Sequence, residues 1–203
     1  AVRVRQGDLE TMMGAAGARH ILRWAIFGLL LCSCEAVLPA ARGDGTDRQR
    51  EYAVKAAFLL NFARFVEWPA SAFSAPDSPI VIGVVGKDPY GATLDRTVQG
   101  KTVGGRHVEV RRVRWDSDLS SLHMLVVPES ERSGARVLPG ALKGAPVLTV
   151  GESAGMAQKT VAVNFYMEGG QVRFEINPEA ARRARLTLSS RLLGLARIVQ
   201  DSR

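Results

Sequence analysis

The first hydrophobic pattern of the predicted domain is that of a helix. Residues 50–67 contain neither glycine nor proline and are followed by a Trp-Pro pair, and proline stops a helix because it lacks an N–H. One helical face carries Val54, Phe58, Phe62 and Phe65. Further leucines widen this apolar stripe beyond one packing face. We therefore expect a core helix that is buried on several sides or partly covered by another chain.

Apolar runs and helix-like segments alternate through the centre of the chain. Residues 80–85 are continuously apolar, which is typical of a central strand buried on both faces. The segments that follow predict a helix at 89–97, strands at 107–113 and 122–127, a helix at 130–142 and a strand at 147–150. This alternation indicates a mostly parallel sheet covered by helices.

The pattern changes in the last quarter of the chain. Strands at 161–167 and 171–176 are separated by Glu-Gly-Gly, which predicts a tight hairpin and makes the sheet mixed. Pro178 is typical of a helix start, and helical spacing continues through Leu188, Leu192, Leu195 and Val199. The predicted fold class is three-layer α/β, a mixed and mostly parallel sheet flanked by helices, with a C-terminal hairpin and helix.

The N-terminal forty residues resemble an export signal. Basic residues, including Arg19 and Arg23, precede the apolar run 24–31, and small residues follow at 39–41. This run is far shorter than the roughly 20 apolar residues that a spanning helix needs. We expect a signal peptide at 1–41 with an overlong start before Met12, a flexible lead-in at 42–48, and a single domain at 49–203.

Cysteine content and charge sharpen this interpretation. Both cysteines, Cys32 and Cys34, lie within the predicted signal, so cleavage near residue 41 leaves a domain without thiols. An alternative is cleavage before Cys34, which would anchor the protein by a lipid. The chain carries a net charge of +7. Export from the cytoplasm excludes nucleic acid as the natural partner of this basic domain and leaves proteins or anionic lipid.

One local motif matches a catalytic signature but lacks its context. Residues 151–155 read Gly-Glu-Ser-Ala-Gly and follow a predicted strand, as in the nucleophile elbow of hydrolases. The elbow needs a helix after Ser153 and a later histidine. A strand follows instead, and both His107 and His123 come earlier in the sequence. We interpret the segment as a glycine-rich loop.

Phosphate and metal motifs are equally incomplete. The Gly-Lys-Thr at 100–102 precedes a strand, whereas a phosphate-binding loop lies between a strand and a helix. His107 alternates with valines and is expected to face solvent, while His123 is expected to be a hydrogen-bonded core residue. The sequence predicts no catalytic residue, no cofactor and no metal.

Four sequence blocks together resemble the YfiR family. They are Lys-Ala-Ala-Phe-Leu at 55–59 with Asn-Phe at 61–62, Phe65 and Glu-Trp-Pro at 67–69; Gly-Lys-Asp-Pro-Tyr-Gly at 86–91; Pro-Val-Leu-Thr-Val at 146–150; and Val-Arg-Phe-Glu-Ile-Asn at 172–177, leading to Leu-Thr-Leu-Ser-Ser-Arg-Leu-Leu at 186–193 and Leu-Ala at 195–196. In order and spacing they cover nearly all of the predicted domain.

The resemblance implies an α/β fold, dimerisation and a regulatory role without catalysis. In the best-known case, the family member represses a membrane diguanylate cyclase by binding its periplasmic part and is sequestered by an outer-membrane lipoprotein. We therefore expect a periplasmic homodimer whose partner is an inner-membrane sensor, either a diguanylate cyclase or a histidine kinase. The alternatives are a small periplasmic hydrolase that uses Ser153 and a solute-binding accessory to transport.

The resemblance also suggests where the partner binds. The candidate contact residues are Phe58, Phe62, Trp68, Glu175, Arg191, Leu192 and Leu195. Glu175 is equally consistent with a structural anchor that pins the hairpin to the tail, and the aromatic residues are equally consistent with the core. The redox control known for the family is expected to be absent, because Gly83 and Leu122 stand where its first cysteine pair would fall.

Overall fold

The fold begins with a long helix. A computed structural model of the chain describes residues 43–202, so the predicted signal at 1–41 lies outside the described residues. Helix α1 (Gly43–Phe65) starts earlier than predicted, and residues 43–48, expected as a lead-in, lie in its first turns. It ends where the chain becomes extended in β1 (Val66–Glu67), just ahead of Pro69.

The other regular elements follow the predicted alternation closely. Strands are β2 (Ile80–Val85), β3 (Thr102–Val103), β4 (Arg106–Val113), β5 (Met124–Val127), β6 (Leu148–Gly151), β7 (Val163–Glu168), β8 (Gln171–Ile176), β9 (Thr187–Leu188) and β10 (Arg197–Ile198). Helices are α2 (Ala92–Val98), α3 (Leu138–Leu142), α4 (Pro178–Arg183) and α5 (Ser190–Leu193), with 3₁₀ turns at Ala70–Ala72, Leu119–Ser121 and Glu129–Val137.

Eight of these strands form one mixed sheet in the order β10-β8-β7-β6-β5-β2-β4-β3. Strands β7, β6, β5, β2 and β4 are parallel, whereas β8, β10 and β3 run the other way. The chain first moves from β2 outwards to β4 and then returns to the opposite side of β2 for β5, β6 and β7. This is a doubly wound order with its switch point between β2 and β5.

Both faces of the sheet are buried, as the apolar run at 80–85 predicted. Ile80, Ile82 and Val84 face a core that includes α1 and α2. Val81 and Val85 face a second core that is built with α3 and the adjoining 3₁₀ segments. The predicted three-layer α/β class is confirmed. Residues of the same chain bury one broad face of the C-terminal half of α1, whereas residues 45–50 are exposed.

The helix predicted at 130–142 is largely a 3₁₀ segment, Glu129–Val137, followed by the short α3. Its path is shaped by Trp115. A Cβ atom added at Gly134 would lie 2.4 Å from the indole ring, so the backbone packs directly against that ring. This close contact with the indole accompanies the 3₁₀ geometry that replaces the predicted regular helix.

The continuous helix predicted through 188–199 is wrong. Ser189 caps the short α5 by accepting a hydrogen bond from the Leu192 N–H, and the helix stops at Gly194. The residues before and after it are extended, because β9 pairs with β1 and β10 pairs with the free edge of β8. Hydrogen bonds across the chain outweigh local helical spacing here.

The hairpin between β7 and β8 is confirmed. Gly169 and Gly170 have φ angles of 57° and 74°. A two-residue hairpin with a type I′ turn needs positive φ at both of its central residues. This glycine pair explains why the turn could be located from sequence.

Gly86→Ala is expected to destabilise the fold more than Gly100→Ala. Both glycines have a φ near +67°, so each alanine is strained by about 1 kcal/mol. Only Gly86 is also crowded, since an added Cβ atom would lie 2.2 Å from Cδ of Glu131. We expect a further loss of about 1–3 kcal/mol at Gly86, measured by urea unfolding. Equal losses in the two variants would contradict the packing seen around Gly86.

Candidate functional site

The two predicted contact residues of α1 differ in accessibility. Phe62 is fully buried, with its ring 5.6 Å from that of Phe165 and 5.1 Å from that of Phe174. Phe58 packs on the same rings but is only partly buried, and it lines a cavity of about 1000 Å³ between α1 and the β7–β8 hairpin. Of the two, Phe58 is the residue that a partner could reach in this conformation.

Trp68 joins the end of α1 to the sheet. Its Nε1–H donates to the carbonyl of His123 at 3.0 Å, and its ring lies edge-on to the imidazole. The imidazole Nδ1 accepts the Val81 N–H at 3.2 Å, and burial lowers the pKa of His123. His123 is thus a hydrogen-bonded core residue, as predicted, and His107 is exposed, also as predicted.

Glu175 lies inside the sheet region and binds two neighbouring strands. Its Oε2 accepts from Arg197 on β10 at 2.7 Å, and its Oε1 accepts from Asn164 on β7 at 3.2 Å. The side chain is 2% exposed. This geometry supports the interpretation of Glu175 as an anchor for the tail, while a role in partner binding stays a prediction.

The remaining candidates lie around α5, where one is buried and two are exposed. Leu192 belongs to the same core as Phe62. Leu195 is 68% exposed, and the Arg191 guanidinium lies 5.8 Å from the Phe65 ring centroid. We call Arg191 and Leu195 the C-terminal patch. Three of the seven candidates are therefore buried, namely Phe62, Glu175 and Leu192. The other four are at least partly exposed, namely Phe58, Trp68, Arg191 and Leu195.

Ser153 does not have the surroundings of a nucleophile. It follows β6 at the carboxyl edge of the sheet, is 3% exposed, and its Oγ has no hydrogen-bond partner among the described residues. His107 and His123 stand at the starts of β4 and β5, at the opposite edge. The described residues hold no His/Cys/Asp/Glu group suited to a metal ion, and none of their helices combines the length and apolarity of a membrane span.

The side-chain carboxylate of Glu131 binds the backbone of the turn that follows β2. Glu131 accepts the backbone N–H of Lys87 at 3.3 Å and the Trp115 Nε1–H at 2.9 Å. The same N–H group would be a donor to phosphate in a nucleotide-binding loop. In this protein Glu131 therefore occupies the donor that a phosphate would use there. Gly100 likewise leads directly into β3.

A buried polar cluster that the sequence did not reveal lies at the carboxyl edge. Glu152, directly after β6, accepts hydrogen bonds from the hydroxyls of Tyr52 at 3.3 Å and of Tyr90. The ammonium group of Lys55 lies 3.6 Å from Glu152 and 2.6 Å from Glu51. We call Tyr52, Lys55, Tyr90 and Glu152 the carboxyl-edge cluster. It fastens α1 to the loops after β2 and β6.

Burial sets the electrostatics of this cluster. The Glu152 side chain is 1% exposed, and desolvation raises its pKa, although Lys55 and the two tyrosine hydroxyls act in the opposite direction. Burial and the charge of Glu152 raise the pKa of Tyr52 to about 12, and the same two causes hold the pKa of Tyr90 well above its ordinary value. Both phenols therefore remain donors at neutral pH.

A signal for this cluster was present in the sequence. Tyr52 and Lys55 are one turn apart on the predicted helix, and Glu152 follows directly after a predicted buried strand. Polar residues at the carboxyl ends of parallel strands converge in doubly wound sheets. The Gly-Glu-Ser-Ala-Gly motif at 151–155 indicated Ser153 as the candidate, whereas Glu152 is the residue of this motif that joins the cluster.

Comparison with known families decides the assignment of the chain. The YfiR/HmsC-like family model matches residues 52–197. The chain belongs to the YfiR/HmsC-like family. The matched region of this YfiR/HmsC-like protein starts at Tyr52 and ends at Arg197, so it includes all seven candidate contact residues and the carboxyl-edge cluster. A comparison with curated proteins found no match.

The YfiR/HmsC-like family is known for periplasmic regulation of diguanylate cyclase, and it is regulatory rather than catalytic. Gly83 and Leu122 lie close together in the structure. A Cβ atom added at Gly83 would lie 2.4 Å from Cδ1 of Leu122. Their correspondence to the family's first cysteine pair stays a prediction.

Proposed function

We propose that this chain is a periplasmic binding protein that represses an inner-membrane diguanylate cyclase by binding the cyclase's periplasmic part. The assignment to the YfiR/HmsC-like family supports this function. A net charge of +7 agrees with a binding role. A histidine kinase is the alternative sensor, and an outer-membrane lipoprotein and a second copy of the chain are the further proposed partners.

Repression of this kind needs no chemistry in the repressor. A binding protein lowers the activity of a sensor when it binds the inactive conformation more tightly than the active one. The preference between the two conformations, and not the total affinity, sets how far the population shifts. The protein therefore has to present only a surface that fits one conformation better, and α5 and β10 are joined to the rest of the fold by the contacts of Leu192 and Arg197.

The exposure of Leu195 is the observation that supports a particular surface. A leucine that is 68% exposed next to Arg191 is suited to a partner with an apolar pocket and acidic rim. Phe62, Leu192 and Glu175 would support the C-terminal patch from behind, and Phe58 and Trp68 would extend the contact along α1.

Leu195→Asp is expected to weaken binding to the isolated periplasmic part of the cyclase at least tenfold, because it places a charge in an apolar contact. Binding is measured by titration calorimetry with purified proteins. Val137→Asp is the matched control, since Val137 is 50% exposed and lies in a different segment. It should change affinity less than about twofold.

Cellular output provides the second measurement. Deletion of the gene should raise cyclic-di-GMP, and the Leu195→Asp variant should fail to restore the repressed level while Val137→Asp restores it. Unchanged cyclic-di-GMP after deletion would contradict repression of a cyclase. Equal binding by the two variants would contradict the C-terminal patch as the contact surface. It would not contradict repression of the cyclase, which the deletion experiment tests separately.

A further inference from the structure

A second surface of the molecule has the position of a ligand site. In open, doubly wound sheets, ligands bind beyond the carboxyl ends of the strands at the switch point. Here the switch point lies between β2 and β5. A cavity of about 720 Å³ opens at that point, lined by residues that directly follow β2, including Lys87 and Pro89, and by Pro128 and Ser130 after β5. We call it the switch-point pocket.

The inner walls of the pocket are flat and partly apolar. Tyr52 and Tyr90 stand edge to face, with ring centroids 5.1 Å apart, and their hydroxyl groups are directed to Glu152. Tyr90 is only 3% exposed, so the partly buried ring of Tyr52 provides most of the aromatic surface at the pocket. Partly exposed Pro89 adds rigid apolar surface, and Pro128 also lines the pocket although it is mostly buried. Such walls suit a flat ring, and the volume is within the range of small-molecule sites.

The charged residues at the pocket are mainly cationic. Arg48 from α1 and Lys87 from the turn after β2 both line the pocket and are exposed. Glu129 is the acidic residue of the lining, and Thr93 and Ser130 contribute hydroxyl groups. Arginine and lysine bind carboxylate and phosphate groups, whereas Glu129 could accept from a ligand N–H or O–H.

The pocket is held open by contacts that do not involve a ligand. Arg112 binds Asp88 at 2.9 Å, Asp95 at 2.5 Å and the carbonyl of Gly91 at 3.0 Å, which fixes the loop between β2 and α2. Glu131 fixes the start of the same loop through the Lys87 N–H. A preformed site of this kind loses little conformational entropy on binding.

We propose that the switch-point pocket binds a small organic anion, a flat ring compound that carries a carboxylate or a phosphate. The ring lies against Tyr52 and the two prolines, and the anionic group lies between Arg48 and Lys87. The pocket and the C-terminal patch use different residues, so this proposal does not depend on the identity of the protein partner.

The test is a titration of the ¹⁵N-labelled purified protein with minimal probes. Phenyl phosphate and benzoate represent the two anionic groups, benzylamine has the ring with the opposite charge, and inorganic phosphate has the anion without the ring. At least one of the ring anions should shift the amide signals of Tyr52, Lys87 and Ser130 saturably, with a dissociation constant of about 1 mM or tighter. Their relative affinity distinguishes carboxylate from phosphate as the preferred group.

Variants test the cations directly. Arg48→Ala with Lys87→Ala should weaken the better ring anion at least tenfold, because two charge-assisted contacts are lost. Arg136→Ala with Lys159→Ala, two cations outside the pocket lining, should change affinity less than about twofold. The proposal is overturned if neither ring anion shifts these amides, if benzylamine or inorganic phosphate binds equally well, or if the two double variants behave alike.

Discussion

Phe62→Ala is expected to lower the free energy of unfolding by about 3–5 kcal/mol. The side chain is fully buried and contacts three other phenyl rings, those of Phe58, Phe165 and Phe174, in a cluster that joins α1 to β7 and β8. Truncation removes these contacts and leaves a cavity that tightly packed neighbours can fill only in part.

Phe58→Ala is the matched comparison for this prediction. Phe58 packs on the same rings but is partly exposed, so we expect a loss of about 1–3 kcal/mol in urea unfolding. The comparison separates core from contact surface. A Phe62→Ala variant that binds the cyclase less tightly but unfolds like the unchanged protein would contradict the placement of Phe62 in the core.

Lys55→Met is expected to cost about 3 kcal/mol of stability at neutral pH. Methionine has a similar length and an apolar end, so little packing is lost. Glu152, however, stays buried without the ammonium group that lies 3.6 Å away. The penalty for a buried, uncompensated charge exceeds the loss of the ion pair itself, since the carboxylate then retains only the two tyrosine hydroxyls.

The cost should depend on pH in a defined direction. Burial raises the pKa of Glu152 in the folded protein, so the folded state binds this proton more tightly than the unfolded state does. Stability contributed by the proton is present at low pH and is lost as pH rises through the raised pKa. Lys55 lowers the pKa of Glu152 and so opposes the effect of burial. Without Lys55, the pKa of Glu152 should rise further, and the stability of the Lys55→Met variant should fall more steeply with pH. The variant should therefore recover much of its stability deficit at about pH 5.

The double variant Lys55→Met, Glu152→Gln is the control for this prediction. An uncharged amide needs no ammonium partner and can still bond both phenols, so most of the lost stability should return at neutral pH and its pH dependence should disappear. Chemical unfolding at about pH 5 and about pH 7.5 measures both effects. A single variant with the same deficit at the two pH values would show that Glu152 does not carry the cost.

Local signals were sufficient for much of the architecture. The apolar run at 80–85 can be satisfied only by burial on both faces, and the Glu-Gly-Gly at 168–170 supplies two residues that adopt positive φ. The predicted strands at 107–113 and 171–176 are equally close to the observed ones. Each depends on neighbouring residues, so a single sequence contains the necessary information.

The candidate site was less predictable. Phe58 and Phe62 are one turn apart on the same helical face, and periodicity does not distinguish the buried ring from the partly exposed one. Both rings contact Phe165 and Phe174, but Phe62 lies inside the core, whereas Phe58 borders the cavity between α1 and the β7–β8 hairpin. The Glu175–Arg197 pair joins residues whose proximity depends on the parallel pairing of β8 with β10.

Local periodicity, turn chemistry and motif order were enough to predict the α/β class, the alternation of strands and helices, the hairpin and the resemblance to the YfiR/HmsC-like family. They were not enough for the path of the tail, the order of the strands, or the meeting of Lys55, Tyr90 and Glu152 at one edge of the sheet. These features depend on the burial and pairing of residues far apart in the chain. Burial is also what turns an ordinary glutamate into a group with a raised pKa.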